Sequence, residues 1–177
     1  MELELKDLTL VTGCMFAGKS KFLIDNFENK DVQAIQPTIN TRDDGIRSRD
    51  YKDRSIPTQK VDSLSDVELK KDVILVDEFQ FFKTKELRDF VRKCKDEHRK
   101  CVMAGLNYYA NGNKWEAYNE LESLADEIIT LSAKCSKCGE QAQYTQQLSG
   151  LTESGLAIEG EGVTYEPRCK KHWSPSK

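Results

Sequence analysis

Residues 13 to 20 read Gly13-Cys14-Met15-Phe16-Ala17-Gly18-Lys19-Ser20, the full spacing G-x-x-x-x-G-K-[ST]. A strand-like run, Leu8-Thr9-Leu10-Val11-Thr12, precedes it, and residues 19–27 behind it have a helical pattern. That strand–loop–helix context gives the spacing its meaning. Gly13 and Gly18 let the backbone wrap an anion, and the amides at the helix start point at it. In such a loop Lys19 reaches the β- and γ-phosphates of a nucleotide, and Ser20 offers its hydroxyl to Mg²⁺. Residues 13–20 are therefore the expected ATP cradle.

The rest of the chain continues the same alternation. Apolar runs recur at residues 8–11, 32–35, 73–76, 102–106 and 128–131, and helix-like stretches fall at 19–27, 84–98 and 114–124. Strands that are apolar on both faces and alternate with helices predict an α/β fold, a parallel sheet flanked by helices. Thr84 is placed to cap the second helix, since Leu87, Phe90, Val91 and Cys94 then recur at helical spacing. Two segments break the pattern. Residues 37–57 are charged and poor in apolar side chains, which predicts a functional or structureless loop. Near Ala133 the βα pattern gives way to a tail rich in cysteine and glycine. The expected division is a nucleotide-binding domain at 1–132 and a small subdomain at 133–177.

Bulk properties narrow the function classes. The 177 residues fit one domain with a small appendage, and a net charge of −3 provides no global basic field for nucleic acid or anionic membrane. The N-terminus lacks an apolar signal core, and no run approaches the ~18 apolar residues that a membrane span needs. A cytoplasmic protein is expected. Six cysteines in such a chain point to metal binding or buried thiols rather than a disulfide framework.

Two further constellations carry chemistry. Val73-Ile74-Leu75-Val76 ends in Asp77-Glu78. Beside a phosphate loop, Asp77 is placed to hold Mg²⁺ directly or through water, and Glu78 to take a proton from an acceptor hydroxyl. An ATPase uses the same pair to activate water, so the pair alone leaves both reactions open. Cys135-Ser136-Lys137-Cys138 and Cys169-Lys170-Lys171-His172 supply two ligand pairs of equal spacing. Three thiolates and an imidazole suit tetrahedral Zn²⁺, and with no further ligand suggested the site reads as structural.

Together these residues resemble the zinc-containing, type II thymidine kinases, and the resemblance spans nearly the whole chain. Met15-Phe16-Ala17-Gly18-Lys19-Ser20 is similar to the family's M-F-[AS]-G-K-[ST], and Asp77-Glu78-Phe79-Gln80-Phe81-Phe82 to its D-E-x-Q-F-F. Gly105-Leu106 opens its G-L-D segment, Leu131-Ser132-Ala133-Lys134-Cys135 follows L-x-A-x-C, and Cys169-Lys170-Lys171-His172-Trp173 looks like the C-x-K-H-W ending.

The resemblance implies a RecA-like domain, a zinc-held lasso over the nucleoside, and a homotetramer. It implies transfer of the ATP γ-phosphate to the 5′-hydroxyl of thymidine. On this chain it gives Glu78 as base, Asp77 and Ser20 as the Mg²⁺ shell, and Lys19 and Arg42 on phosphate charge. Met15, Phe82 and Leu106 become walls of the base pocket. Thr145 and the segment around Ile158 read the thymine edge, and Tyr165 covers the ring.

The departures from the family cluster around the acceptor. Asn40 stands for the D-T-R aspartate, Asn107-Tyr108-Tyr109-Ala110 replaces the end of G-L-D-x-D-F, Gln147 replaces an arginine, and Glu159 enters the I-G-G turn. Trp115 and Tyr109 are candidates to replace the missing aromatic bulk. Another deoxynucleoside, or a modified pyrimidine nucleoside, is thus an alternative acceptor, since a single methyl discriminates by only ~1–3 kcal/mol. A phosphate-loop ATPase with a nucleic-acid-binding zinc ribbon and a nucleotide sensor without turnover are the competing classes. His98 sits in a charged run that reads as a solvated helix end, and Cys94 and Cys101 read as core thiols. Cys14, a thiol at a helix N-terminus, sits in a setting that lowers thiol pKa. Its alkylation would then block ATP.

Overall fold

The computed structural model describes residues 3–40, 44–149 and 164–176. The strands are β1 (Leu8–Gly13), β2 (Val32–Pro37), β3 (Ile46–Arg47), β4 (Ser55–Ile56), β5 (Gln59–Val61), β6 (Val73–Val76), β7 (Lys100–Leu106) and β8 (Glu127–Thr130). Four more follow: β9 (Ala133–Lys134), β10 (Gln141–Ala142), β11 (Tyr144–Ser149) and β12 (Thr164–Arg168). The helices are α1 (Lys19–Phe27), α2 (Thr84–Asp96) and α3 (Glu116–Leu124).

A six-stranded sheet in the order β5-β2-β6-β7-β1-β8 forms the frame, and each of its neighbouring pairs is parallel. Its inner strands β1, β6 and β7 bury both faces, as their unbroken apolar runs require. On one face Leu8, Leu10, Ile74, Val76 and Met103 pack with Leu87 and Phe90 of α2 and Leu121 of α3. On the other, Val11, Leu75, Val102 and Ala104 meet Leu23, Ile24 and Phe27 of α1. Fully burying each such side chain contributes about 1.5–3 kcal/mol, so the two cores fix which way every helix turns.

The termini of the elements differ from the sequence reading in small, explicable ways. Helix α2 stops at Asp96, and His98, exposed, takes the left-handed conformation that ends it. Thr84 is the first residue of α2 rather than its cap. Lys83 takes that place, its N–H donating to Glu86 Oε2 while the Leu64 N–H donates to Glu86 Oε1. Helix α3 begins at Glu116, two residues later than the pattern suggests.

The larger correction concerns the segment read as a functional or structureless loop, whose described residues 44–57 are not structureless. Strands β3 and β4 pair antiparallel there, with Ile46 and Ile56 buried against α1. Gly45 adopts φ 127°, and a Cβ on it would lie 2.5 Å from the Ile56 carbonyl oxygen, so glycine is required at that turn.

Beyond β8 the chain leaves the main sheet. Strands β9 and β10 form one antiparallel pair, β11 and β12 another.

Candidate active site

The phosphate loop lies at the carboxyl end of β1 because β1 ends in Gly13 at φ 149°, a conformation that Gly13 alone suits. A Cβ there would lie 2.5 Å from the Leu131 carbonyl oxygen. Gly18, at φ 87°, starts α1, and Phe16 also takes a left-handed φ of 68°. Within the loop the Lys19 ammonium donates to the carbonyl oxygens of Cys14 at 2.7 Å and Gly13 at 3.3 Å. Desolvation pulls the Lys19 pKa down, and Cys14, Glu78 and Asp77 act against it. A cation so placed gains most from an anion in the same cradle.

Asp77 and Glu78 follow β6 at the same edge of the sheet. Asp77 is 5% exposed, and burial, then the neighbouring Glu78 charge, push its pKa well above the ordinary carboxylate range. The Gln36 side chain donates to Asp77 Oδ2 at 3.0 Å and to the Gly45 carbonyl oxygen at 3.1 Å, and accepts from Thr58 Oγ1. One buried amide thus joins the Asp77 carboxylate to the base of the β3–β4 hairpin. A hard carboxylate oxygen, in a place where two carboxylates repel each other, fits a divalent cation such as Mg²⁺.

Glu78 is held differently. Its φ of 57° turns the chain sharply out of β6, a strain of about 1–3 kcal/mol for a non-glycine residue. Gln80 Nε2 donates to Glu78 Oε2 at 2.6 Å, while Gln80 Oε1 accepts from the Leu106 N–H at 3.1 Å. The approach depends on Gly105, since a Cβ there would lie 2.6 Å from Gln80 Oε1 and 2.8 Å from Phe79 Cγ. The sequence reading took Gln80 only as part of a motif. Its amide in fact braces the candidate base, and Gln36 braces Asp77.

A cavity of about 300 Å³ opens between these parts. Met15, Phe16, Gly18, Lys19, Ser20 and Lys21 line it together with Glu78, Leu106 and residues 47–50, and the Arg49 guanidinium lies 4.5 Å from the Phe16 ring centroid. Phe82, read as a wall of the base pocket, is 5% exposed and packs in the core with α2 and α3. Tyr109 stacks on buried Trp115 with ring centroids 3.8 Å apart, so both aromatics serve the core beside the site. Buried Asn107 Oδ1 has no hydrogen-bond partner among the described residues.

The cysteine-rich tail reaches back to the phosphate loop. Thr145 Oγ1 accepts from the Met15 N–H at 3.1 Å, and Cys14 Sγ donates to the Ala142 carbonyl oxygen at 3.6 Å. Thr145 therefore spends its hydroxyl on the loop. The Cys14 thiol is buried, and burial pushes its pKa up, contrary to the lowered value expected at a helix start. On β11–β12, Gln147 pairs with Tyr165 and Thr145 with Pro167. Strand alternation puts Gln147 and Tyr165 on the face that carries Thr145 to the loop. Arg42, Ile158 and Glu159 lie outside the described residues.

Cys135, Cys138, Cys169 and His172 bring their ligand atoms within 4.8 Å of one another. Cys138 Sγ is 3.7 Å from Cys169 Sγ, Cys135 Sγ 3.7 Å from His172 Nδ1, and Cys169 Sγ 3.4 Å from the same nitrogen. Thiolates at the corners of a Zn²⁺ tetrahedron stand about 3.8 Å apart, so both spacing and donor set fit a closed zinc site. Desolvation opposes ionisation of Cys135, yet the amides of Cys169, Lys137 and Cys138 bring its thiol down to about 5.

The comparisons with known proteins agree with this geometry. The family profile described as Thymidine kinase matches residues 6–173. A thymidine kinase of Coprothermobacter proteolyticus is 31% identical over 186 residues, covering 97% of this chain and 93% of that protein. Such coverage takes in the phosphate loop, the Asp77-Glu78 turn and all four zinc candidates at once, and on it the chain belongs to the thymidine kinase family.

Proposed function

We propose that the protein is a nucleoside kinase that transfers the γ-phosphate of ATP to the 5′-hydroxyl of thymidine, forming thymidine monophosphate for nucleotide salvage. The observation that carries this reading is the cavity that brings Lys19, Ser20, Glu78 and Leu106 together at the carboxyl ends of β1, β6 and β7. Glu78 lines a cavity of about 300 Å³, large enough for an organic acceptor.

In this reading the phosphate loop binds the triphosphate through its amides and the Lys19 ammonium, and Glu78 accepts the proton of the 5′-hydroxyl. The hydroxyl oxygen bonds to Pγ as the bond from Pγ to the ADP oxygen breaks, and Arg42 steadies the phosphate charge. Asp77 and Ser20 would hold Mg²⁺, which would supply neutralising charge at the phosphates. Met15 and Leu106 shape the base side and Phe82 supports it from the core, while Tyr165, Thr145 and the segment around Ile158 close it from the zinc-tied tail at 133–177.

We place the protein in the cytoplasm, on family grounds. Among the described residues no helix is long and apolar enough to cross a membrane. Self-association into a homotetramer rests on the family and on exposed Ile128 of the edge strand β8.

The test is ATP-dependent phosphorylation across the natural deoxynucleosides, with the product identified by mass. Thymidine as the best substrate supports the reading. Preference for another deoxynucleoside overturns the thymidine assignment and traces to Asn40, Tyr109, Gln147 or Glu159. ATP binding with no acceptor turned over contradicts the kinase reading.

A further inference from the structure

The chain behind the fourth zinc candidate runs back across the molecule. Trp173 follows His172 directly. The Arg168 guanidinium, paired with Glu166, donates to the His172 carbonyl oxygen at 3.1 Å, which fixes the peptide leading into the indole. One face of the half-buried indole stacks on Tyr144, with ring centroids 4.5 Å apart and an interplanar angle of 21°. Its far edge lies against the loop between β7 and α3, where a Cβ on Gly112 would stand 2.9 Å from Trp173 Cη2. The Ser174 N–H donates to Gln146 Oε1 at 2.9 Å, and the Ser176 N–H to the Ala110 carbonyl oxygen at 3.1 Å. Residues 173–176 are thus strapped across β11 and the loop that follows Leu106.

The indole N–H has a particular acceptor. It donates to the Thr145 carbonyl oxygen at 3.1 Å. In the β11–β12 pair the residue opposite Thr145 is Pro167, which has no N–H to offer that carbonyl. Thr145 is 7% exposed, and a buried carbonyl left without a donor is costly. The hydroxyl of the same residue accepts from the Met15 N–H in the phosphate loop. The two oxygens of Thr145 therefore face Trp173 on one side and the phosphate loop on the other. Phe16, next to Met15, takes a left-handed φ of 68°, so the loop holds a strained shape that outside contacts must keep.

We propose that Trp173 is a positioning residue for the phosphate loop: its indole N–H holds the Thr145 carbonyl and so keeps the Thr145 hydroxyl on the Met15 amide. The inference rests on the reading of that loop as the ATP cradle. Trp173 does not line the cavity, so it acts on the nucleotide only through other residues. Without the indole donor the Thr145 carbonyl turns to water, β11 shifts, and the Met15 amide loses its acceptor. The loop then spends less time in the shape whose amides converge on phosphate, and nucleotide affinity falls by that fraction. Phenylalanine at position 173 keeps a ring on Tyr144 and cannot donate, which separates the hydrogen bond from the packing.

Two measurements on the full chain test this. The first is binding of a fluorescent, non-hydrolysable ATP analogue to wild type, Trp173→Phe, Thr145→Val and the double variant, with the zinc content of each protein measured alongside. Trp173→Phe should weaken binding about three- to tenfold, with zinc content equal to that of wild type. Thr145→Val should lose a similar amount, and the double variant no more than either single one, because both act through one chain of bonds. The second is amide hydrogen exchange of the nucleotide-free proteins, which needs neither ATP nor acceptor. Residues 13–20 and β11 should exchange faster in Trp173→Phe, while β6 and β7 keep the wild-type rate. Affinity within about twofold of wild type, additive losses in the double variant, or unchanged exchange at 13–20 overturns the proposal. Zinc loss in Trp173→Phe, or faster exchange spread through β6 and β7, also overturns it, since either marks a general loosening. Should wild type bind no ATP analogue, the cradle reading falls and the exchange rates still decide the role of Trp173.

Discussion

Asp77 is a carboxyl group placed where water solvates it poorly and beside a second carboxylate, which raises its pKa. The sign of the consequence follows from linkage. A carboxyl whose folded pKa exceeds its unfolded value has no effect on stability below the unfolded value of about 4 and destabilises the fold increasingly above it. Asp77→Asn removes that penalty and leaves Glu78 to offset Lys19. In nucleotide-free protein it should raise the melting temperature by roughly 3–8 °C at pH 8, with a smaller gain at pH 5, while abolishing turnover. A lower melting temperature at pH 8 would contradict this account of the site. Gln80 is read in the opposite sense. Gln80→Ala releases Glu78, and a small displacement of a reacting group costs as much as about 10²-fold. The loss should appear in kcat, with nucleotide affinity unchanged by fluorescence titration.

At the scale of elements, the zinc knuckle and the phosphate loop are neighbours. The β9–β10 turn holds Cys135 and Cys138, and the same strand pair supplies Ala142 to Cys14, with Thr145 reaching Met15 from β11. Structural zinc in small modules contributes ~10–16 kcal/mol of apparent binding energy. Chelation should therefore loosen β9–β12 and weaken binding of a fluorescent ATP analogue by about tenfold or more, besides slowing turnover. Unchanged ATP affinity in zinc-free protein would uncouple the two.

The elements also show what was legible. The parallel sheet was readable because its buried strands are unbroken apolar runs, as in Val73-Ile74-Leu75-Val76. Strands β3 and β4 were not, since two-residue strands in a charged segment leave no periodicity, and the Gly45 turn and the Gln36 amide hold them. The phosphate loop, the Asp77-Glu78 pair and the Cys₃His set are fixed by local spacing and stood out at once. Gln36, Gln80 and the Thr145–Met15 bond act across 41, 26 and 130 positions of chain, where no local pattern reports them. Cys14 was misjudged because helix-terminus logic says nothing about the burial that dominates its pKa.

For the molecule as a whole, a net charge of −3 and a walled cavity at the sheet edge describe an enzyme for a small acceptor rather than for a polymer. ATP turnover should be unaffected by single- or double-stranded DNA at low salt, as measured by ADP release. A DNA-stimulated rate would bring the zinc-ribbon alternative forward. The central claim is that Glu78 takes the acceptor's proton inside a site whose binding parts stand apart from it. It is tested most directly by rapid-quench single turnover of wild type and Glu78→Gln with ATP and thymidine. The account predicts a chemical step slowed by about 10²–10⁴-fold, with both substrates bound within about threefold of wild type. A chemical step in Glu78→Gln within tenfold of wild type would contradict it.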